Sequence, residues 1–143
     1  MYDYKCRIVD VYDGDTVKVD LDLGFGTWLP GRSIRVAGID TPEIRTRNKR
    51  EKRFGYRARD RMRELLPVGS AQVIVTYSPK PDKYGRILAN FILERVRDGA
   101  EMLASEVLIA ERLAVRYEGQ AKAEVRAAHI ANWDALDDGR RQE

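Results

Sequence analysis

Five short apolar runs, each of the length of a β-strand, constrain the fold of this chain most strongly. In Thr16–Leu23, the sequence TVKVDLDL alternates apolar and polar residues without a break. Because successive side chains of a strand point to opposite faces of the sheet, this pattern predicts a strand with one buried face. The other four predicted strands are Lys5–Val11, Ser33–Ile39, Ala71–Tyr77 and Arg86–Leu93. The chain is therefore predicted to be built mainly from β-structure.

Three segments carry apolar residues at the three- and four-residue spacing of an amphipathic helix. They are Gly55–Leu66, Glu101–Leu113 and Gln120–Trp133. The basic stretch Ile44–Phe54 is predicted to be a mobile loop, and Asp137–Glu143 a frayed tail. One helix between the third and fourth strands and two at the end fit an α+β fold, a five-stranded OB-type barrel with three α-helices.

The length of 143 residues fits a single domain, with a predicted core over residues 4–133 and a tail at 134–143. The single cysteine, Cys6, excludes an internal disulfide and is predicted to be a buried strand residue. No apolar run is long enough for a membrane span, and Met1–Lys5 lacks the apolar stretch of a signal peptide. We therefore expect a cytoplasmic protein without a membrane span, with a mature secreted form as the alternative. We also expect it to be a monomer.

Basic residues are concentrated in one segment of the chain. The formal net charge is +3, but residues 45–63 alone hold 10 Lys and Arg residues against Glu51 and Asp60. A patch of this kind is typical of a surface that binds a polyanion such as nucleic acid. A solvated loop and helix face is the alternative interpretation.

Four short strings place carboxylates and arginines at the ends of the predicted strands. They are Asp13-Gly14-Asp15-Thr16, Ser33-Ile34-Arg35-Val36, Asp40-Thr41-Pro42-Glu43 and Asp82-Lys83-Tyr84-Gly85-Arg86. The first string alone predicts a hairpin turn and no more. Because the strand ends of a small barrel can converge, the four strings together predict one pocket that contains three carboxylates and two arginines.

These side chains fit the hydrolysis of a phosphodiester. Asp15 and Asp40 offer oxygen ligands from different strands, which suit a hard cation such as Ca²⁺. The chain has one cysteine and one histidine, which disfavours zinc. Glu43 could orient a water molecule or accept its proton. Arg35 and Arg86 could each bind two of the phosphoryl oxygens on which negative charge develops.

The order and spacing of these strings resemble the staphylococcal nuclease (thermonuclease) family, from about Tyr4 to Trp133. The specific combination is Arg35, then the string that starts at Asp40, then the string that ends at Arg86 about forty residues further on. The resemblance implies an SNase-like domain with the OB fold and strengthens the fold assignment that the strand and helix pattern suggests.

The resemblance also implies a role for each residue of the predicted pocket. The Ca²⁺ ligands would be Asp15, Asp40 and the backbone carbonyl of Thr41. The catalytic residues would be Arg35, Glu43 and Arg86, with Glu43 as the general base or as the residue that orients water. The substrate would be bound by Lys83 and Tyr84 beside a terminal phosphate and by Tyr117 beside a base.

Two residues of the last predicted helix are assigned no part in this chemistry. His129 is far in the sequence from all four strings and is predicted to be a packing or surface residue. Trp133 is predicted to be a core residue that holds this helix against the barrel.

Three features depart from the family pattern. The connection Leu23–Arg32 is long and carries aromatic residues, which could shape a substrate channel or cover the barrel. Arg112 stands where the family commonly has a glycine, and a left-handed backbone there would cost about 1 kcal/mol. Asn132 stands near the end of the last helix, where it could tolerate a left-handed cap.

The leading functional prediction is a Ca²⁺-dependent endonuclease of low sequence specificity, and the family resemblance implies that it leaves 3′-phosphate ends. Its expected substrates are single-stranded or frayed DNA, with RNA as a second candidate, because the pocket must reach one phosphate and one base. A non-catalytic nucleic-acid-binding module on the same fold is the alternative. A nuclease that a partner protein controls would use the same chemistry.

Overall fold

The computed structural model describes residues 1–141 and contains eight strands and three helices within them. The strands are β1 (Tyr2–Asp13), β2 (Thr16–Asp22), β3 (Trp28–Val36), β4 (Ile39–Asp40), β5 (Ala71–Thr76), β6 (Ile87–Arg95), β7 (Glu101–Leu103) and β8 (Val115–Arg116). The helices are α1 (Lys49–Leu65), α2 (Ala104–Ala110) and α3 (Lys122–Arg141).

Six strands form one sheet in the order β3-β2-β1-β5-β6-β7, and β3 pairs in addition with β6. The neighbours are antiparallel except β3 and β6, which are parallel where Ile34–Val36 meet Ile87–Ala89. This short pairing brings the ends of five strands together into a partly open, OB-like barrel, to which β7 is added at an edge. The predicted α+β fold, with five barrel strands and three helices, is confirmed.

The predicted alternation in β2 is the pattern that fills the barrel. Val17, Val19 and Leu21 are buried, whereas the polar residues between them are not. Cys6 is buried as well, and burial raises the pKa of its thiol to about 12. The thiol therefore stays protonated at neutral pH, and the prediction of a buried strand cysteine is confirmed. Trp133 is 3% exposed, so its predicted place in the core is also confirmed.

Helix α1 begins six residues before the predicted start at Gly55, so the prediction of a loop is wrong for residues 49–54. The cause is an N-cap at Asn48, whose Oδ1 accepts a hydrogen bond from the backbone N–H of Glu51 at 3.0 Å. Such a cap satisfies one of the N–H groups that a helix start leaves unpaired. Asn48 followed three residues later by Glu51 was the signal for this start.

The second predicted helix is shorter than expected. Residues 101–103 instead form β7, in which Leu103 pairs with Ile92 of β6, and α2 begins only at Ala104. Arg112 follows α2 with a φ of 61°, so it adopts the left-handed conformation that the family's usual glycine suggested. The expected strain of about 1 kcal/mol therefore applies at this position.

Helix α3 continues past Trp133 to Arg141, so the prediction of a frayed tail is wrong for residues 137–141. The carboxylate of Asp137 accepts hydrogen bonds from Arg50 and Arg53 of α1, which hold this part of the helix in place. The last two residues of the predicted tail lie outside the described residues. Asn132 is inside the helix rather than at a left-handed cap, and its Nδ2 donates to the carbonyl of Ala114 at 3.3 Å.

The long connection after β2 points away from the predicted pocket. Asp22 pairs with Trp28 at one end of the β2–β3 hairpin, and Thr16 pairs with Arg35 at the other end. The turn and its fully exposed Phe25 are therefore separated from Arg35 by the length of β2, roughly 20 Å. None of residues 23–32 lines the pocket that contains Arg35. Among residues 1–141, no helix is both long and apolar enough to cross a membrane.

Candidate active site

Three strand ends bring two carboxylates to one guanidinium group. Asp15 precedes β2, Arg35 lies in β3, and Asp40 ends β4. Nη2 of Arg35 lies 3.5 Å from Oδ2 of Asp15 and 4.0 Å from Oδ1 of Asp40. The side chains of Arg35 and Asp15 are 16% and 13% exposed, so this group is partly shielded from solvent. The strand ends therefore converge as the sequence predicted.

Arg35 is fixed by the backbone around it. Nη1 donates a hydrogen bond to the carbonyl of Val36 and Nη2 to the carbonyl of Ile39, both at 2.8 Å. A guanidinium group has five N–H groups, so three remain for other partners. Arg35 is thus oriented in advance and keeps donors with which it can bind an anion.

Thr41 connects two of the strings. Its backbone N–H donates to Oδ2 of Asp15 at 3.2 Å, and the hydroxyl of Thr16 donates to Oδ1 of the same carboxylate at 3.2 Å. Thr41 is 3% exposed. These bonds leave each oxygen of Asp15 with a lone pair for a further partner.

The available donors fit a hard cation. Asp15 and Asp40 supply carboxylate oxygens, and the carbonyl of Thr41, the residue that follows Asp40 in the chain, is a further candidate donor. Within residues 1–141, no group of three or more His, Cys, Asp or Glu side chains is arranged to hold a metal ion. A cation held here would therefore complete its shell with water and substrate oxygens, as hard divalent cations commonly do.

Glu43 lines the pocket that opens beside these groups. Partial desolvation raises the pKa of Glu43 above its ordinary value, and the negative charges of Asp15 and Asp40 act in the same direction. The guanidinium group of Arg35 opposes this rise, and a bound cation would oppose it further. The surroundings of Glu43 therefore favour the uptake of a proton.

Close contact with helix α1 positions the backbone of Glu43. A Cβ atom at Gly55 would lie 2.8 Å from the carbonyl oxygen of Pro42 and 3.0 Å from that of Glu43. Both neighbours are backbone atoms, which cannot turn aside as the end of a side chain can. Gly55 is therefore what allows α1 to approach the Pro42–Glu43 segment so closely.

We expect the substitution Gly55→Ala to lower the free energy of unfolding by about 1–3 kcal/mol, because the added methyl group overpacks this contact. The Pro42–Glu43 segment must shift to make room, so turnover should fall as well. Urea denaturation and cleavage assays measure the two effects. Gly139→Ala is the matched control: Gly139 lies inside a helix as well, in α3, but a methyl group there would point into open space and should be neutral or stabilising. Equal stability of Gly55→Ala and the wild type would contradict this account.

The loop before β6 presents Arg86 to the same pocket. Asp82 organises this loop: its Oδ2 accepts from Nε of Arg86 at 2.9 Å, and its Oδ1 accepts from the backbone N–H groups of Tyr84 and Arg86. Desolvation acts against ionisation of Asp82, but the hydrogen bonds from Arg86 outweigh it and lower the pKa. Within residues 1–141, neither terminal nitrogen of Arg86 has a hydrogen-bond partner, so both can bind a ligand. Sequence reasoning missed this role of Asp82, although its spacing of four residues from Arg86 across a glycine turn was a signal.

The three predicted substrate-binding residues lie in different places. Tyr117 lines the pocket, and its N–H donates to the carbonyl of Gly38 at 2.9 Å, next to the β4–β8 pairing. Lys83 and Tyr84 are exposed on the Asp82–Arg86 loop, outside the pocket lining. Nζ of Lys83 lies 5.1 Å from the centre of the Tyr84 ring. The structure therefore brings Tyr117 to the pocket and leaves the other two on the loop beside it.

The pocket has a volume of about 440 Å³ and lies between the strand ends and helix α3. Its α3 wall includes Lys122, Val125 and Arg126. Nη1 of Arg126 lies 3.4 Å from a carboxylate oxygen of Glu51 on α1, so an ion pair joins the two helices at the pocket wall. Both basic and acidic groups therefore face the space next to Glu43.

His129 is a buried residue packed on Trp133, in line with its prediction as a packing or surface residue, but it also contacts this site, which was not predicted. It is 6% exposed, it lines the pocket, and its Nε2 lies 2.7 Å from Oδ2 of Asp40. The prediction considered only its distance from the strings along the chain. A usable signal was its spacing of four residues from both Val125 and Trp133, which places all three on one helix face.

The basic segment 45–63 is only partly available for a polyanion. Four of its arginines form ion pairs with carboxylates of α1, of α3 or of Glu111, the residue that follows α2. They are Arg50, Arg53, Arg59 and Arg61. Arg63 donates instead to the carbonyl of Val11. The basic residues at the start of the segment, directly after Glu43, are Arg45, Arg47, Lys49 and Lys52, and all of them are at least partly exposed. The surface suited to a polyanion is therefore narrower than the charge count indicated.

Known proteins share this sequence pattern. The family model described as staphylococcal nuclease homologue matches residues 33–138. SPbeta prophage-derived endonuclease YokF of Bacillus subtilis is 34% identical over 110 residues, which are 77% of this chain and 34% of that protein. Endonuclease YncB of Bacillus subtilis is 33% identical over 110 residues, which are 77% of this chain and 48% of that protein. Uncharacterized protein MJ1439 of Methanocaldococcus jannaschii is 35% identical over 105 residues, 60% of this chain and 47% of that protein. The chain thus spans between about a third and a half of the length of these relatives. Because the family model covers well over half of it, the chain belongs to the staphylococcal nuclease homologue family.

Proposed function

We propose that this chain is a Ca²⁺-dependent endonuclease of low sequence specificity that hydrolyses phosphodiester bonds and leaves 3′-phosphate ends. The observation that carries the proposal is the convergence of Asp15 and Asp40 on Arg35, beside a pocket lined by Glu43 and Arg86. Two relatives are named endonucleases, which supports the same class of activity.

Asp15, Asp40 and the carbonyl of Thr41 would hold the cation. When bound there, Ca²⁺ would supply positive charge that polarises the phosphoryl group and offsets the charge that develops on it. The protein's contribution is to keep both carboxylates in place, through the hydrogen bond from the N–H of Thr41 to Asp15 and through the partners of Asp40.

Arg35 and Arg86 would bind the non-bridging oxygens of the phosphoryl group. Both are oriented before a substrate binds, Arg35 by two backbone carbonyls and Arg86 by Asp82. Donors that are already in place need no reorganisation as charge develops in the transition state, which makes them effective catalysts. Each guanidinium group keeps free N–H groups for this purpose.

Glu43 would orient the attacking water molecule and accept its proton. The water oxygen forms a bond to phosphorus, the bond from phosphorus to the 5′-oxygen breaks, and that oxygen takes a proton from solvent. The products are a 3′-phosphate end and a 5′-hydroxyl end, and Glu43 later returns its proton to solvent. The substitution Glu43→Gln distinguishes acceptance of the proton from orientation of the water alone.

The pocket favours a single strand as substrate. Its volume of about 440 Å³ fits one nucleotide unit rather than a duplex, and Tyr117 can stack on a base. Stacking on an aromatic ring is worth roughly 1–3 kcal/mol per base and tolerates any base, so we propose little sequence preference. The basic residues Arg45, Arg47, Lys49 and Lys52 would bind neighbouring phosphates. The proposed substrates are single-stranded or frayed DNA, and RNA as a second class.

Incubation of the protein with a synthetic single-stranded DNA oligonucleotide in Ca²⁺ tests this function. Mass spectrometry of the products should find fragments with 3′-phosphate and 5′-hydroxyl ends, which EGTA abolishes and excess Ca²⁺ restores. The same sequence as a duplex should be cut more slowly, and the RNA version tests the second substrate class. Products with 5′-phosphates, or cutting that EGTA does not affect, would contradict the proposal. Binding of the oligonucleotide without cleavage would instead establish the non-catalytic binding module.

A further inference from the structure

We propose that His129 is a positioning residue for the cation site: it fixes the rotation of the Asp40 carboxylate so that one oxygen stays on the side of Arg35, next to which Asp15 also lies. The proposal rests on the proposed function, because it concerns the same cation. It adds a residue of α3 to a site otherwise built from the strand ends and the loops between them.

The two oxygens of Asp40 have different neighbours. Oδ2 lies 2.7 Å from Nε2 of His129, which is a short hydrogen-bond distance. Oδ1 lies 4.0 Å from Nη2 of Arg35, and that nitrogen lies 3.5 Å from Oδ2 of Asp15. One oxygen is therefore bound by the histidine, and the other faces the Arg35 guanidinium group that also lies next to Asp15.

Without this partner, the Asp40 side chain would be free to turn. Its backbone is held by the pairing of Asp40 with Val115 between β4 and β8. Its side chain, however, is 31% exposed, and the terminal torsion of an aspartate is broad and has no sharp preferred angle. The hydrogen bond from His129 thus restricts the one part of Asp40 that the strand pairing leaves free.

His129 is itself held rigidly by an aromatic column. Its ring stacks on that of Trp133 with centres 6.0 Å apart, and Trp133 stacks on Phe54 of α1 with centres 5.6 Å apart and planes 4° from parallel. All three residues are buried. The ion pairs of Arg50 with Asp134 and Asp137 join the same two helices. Packing of α3 on α1 therefore sets the direction of the His129 ring.

Partners that orient a metal-binding carboxylate typically change metal affinity by about 10- to 100-fold when they are removed. We therefore expect His129→Leu, which keeps an apolar side chain against Trp133 but loses the donor, to weaken Ca²⁺ binding by about this factor. His129→Gln, whose side-chain amide can still donate to Asp40, should recover most of the affinity.

Isothermal titration calorimetry of the whole chain with Ca²⁺, without nucleic acid, measures this effect, and thermal denaturation is recorded for each variant. Asn132→Ala is the matched control. It removes a different hydrogen bond of α3, the one to the carbonyl of Ala114, and should lower stability without changing Ca²⁺ affinity. If His129→Leu does not fold, His129→Gln is compared with His129→Asn, whose shorter amide does not reach the position of Nε2.

The proposal is overturned if the Ca²⁺ affinity of His129→Leu lies within twofold of the wild-type affinity or exceeds it. It is also overturned if His129→Gln recovers none of the affinity that His129→Leu loses. A wild type that does not bind Ca²⁺ overturns it together with the proposed metal requirement. A wild type that binds Ca²⁺ but does not cut the oligonucleotide contradicts only the proposed function, because the affinity comparison still decides the role of His129.

Discussion

The substitution Glu43→Gln is expected to lower kcat by about 10²- to 10⁴-fold and to leave KM largely unchanged. Glutamine keeps the shape of the side chain but cannot accept a proton, and general base catalysis typically contributes a factor of this size. Glu43 lines the pocket with Arg35 and Arg86, and its surroundings raise its pKa and so favour proton uptake. Because the substrate's contacts with the arginines are retained, binding should change little.

Single-turnover cleavage of the DNA oligonucleotide in saturating Ca²⁺ measures this loss, because it isolates the chemical step from product release. Glu51→Gln is the matched control: it removes a negative charge from the wall of the same pocket, but the carboxylate of Glu51 is paired with Arg126. It should retain most of the wild-type rate. A loss smaller than tenfold in Glu43→Gln would contradict proton acceptance and would leave Glu43 with the orientation of water only.

The strand-end part of the site was predictable because each of its residues is placed by local sequence. The turn before Asp15 ends one strand, and the proline after Thr41 ends another. In a small barrel, few positions are available to the ends of the strands. The approach of Asp15 and Asp40 to Arg35 within 4.0 Å follows from this local order. Conformations set by neighbouring residues are the ones that a single sequence specifies best.

Contacts between distant segments were not predictable in the same way. His129 and Asp40 are 89 residues apart, and their contact depends on how α3 packs on α1 through Trp133 and Phe54. A period of 3.6 residues places His129 on the inner face of its helix but does not say which strand end that face will meet. The structure of the helix pair was needed to decide this.

Gly55 illustrates the same difference at the level of one residue. Glycine lowers helix propensity by about 1 kcal/mol, which disfavours a helix that passes through this position. In the structure α1 runs through Gly55, and the backbone of Pro42 and Glu43 leaves no room for a side chain at this position. A tertiary contact thus overrides the local preference at a position next to the site.

Arg35→Lys is expected to lower kcat by about 10²- to 10³-fold although the positive charge is kept. Arg35 uses its planar set of donors to bind the carbonyls of Val36 and Ile39, and it still has N–H groups for a phosphoryl oxygen. A lysine side chain cannot reproduce this planar set of donors. Loss of one donor that is oriented in advance typically raises the barrier by about 3–4 kcal/mol. The two carbonyls also lose a charged partner, so the free energy of unfolding should fall by about 1–3 kcal/mol.

Single-turnover cleavage and urea denaturation separate the two effects of Arg35→Lys. Arg59→Lys is the matched control, because Arg59 lies on α1 with its guanidinium group against Asp60 and the ring of Tyr56, away from the pocket. That variant should keep the wild-type rate, since an exposed ion pair contributes little to stability and none of its contacts reach the substrate. If Arg35→Lys retains more than about a tenth of the wild-type kcat, charge alone accounts for the role of Arg35, and the geometry of its guanidinium group does not.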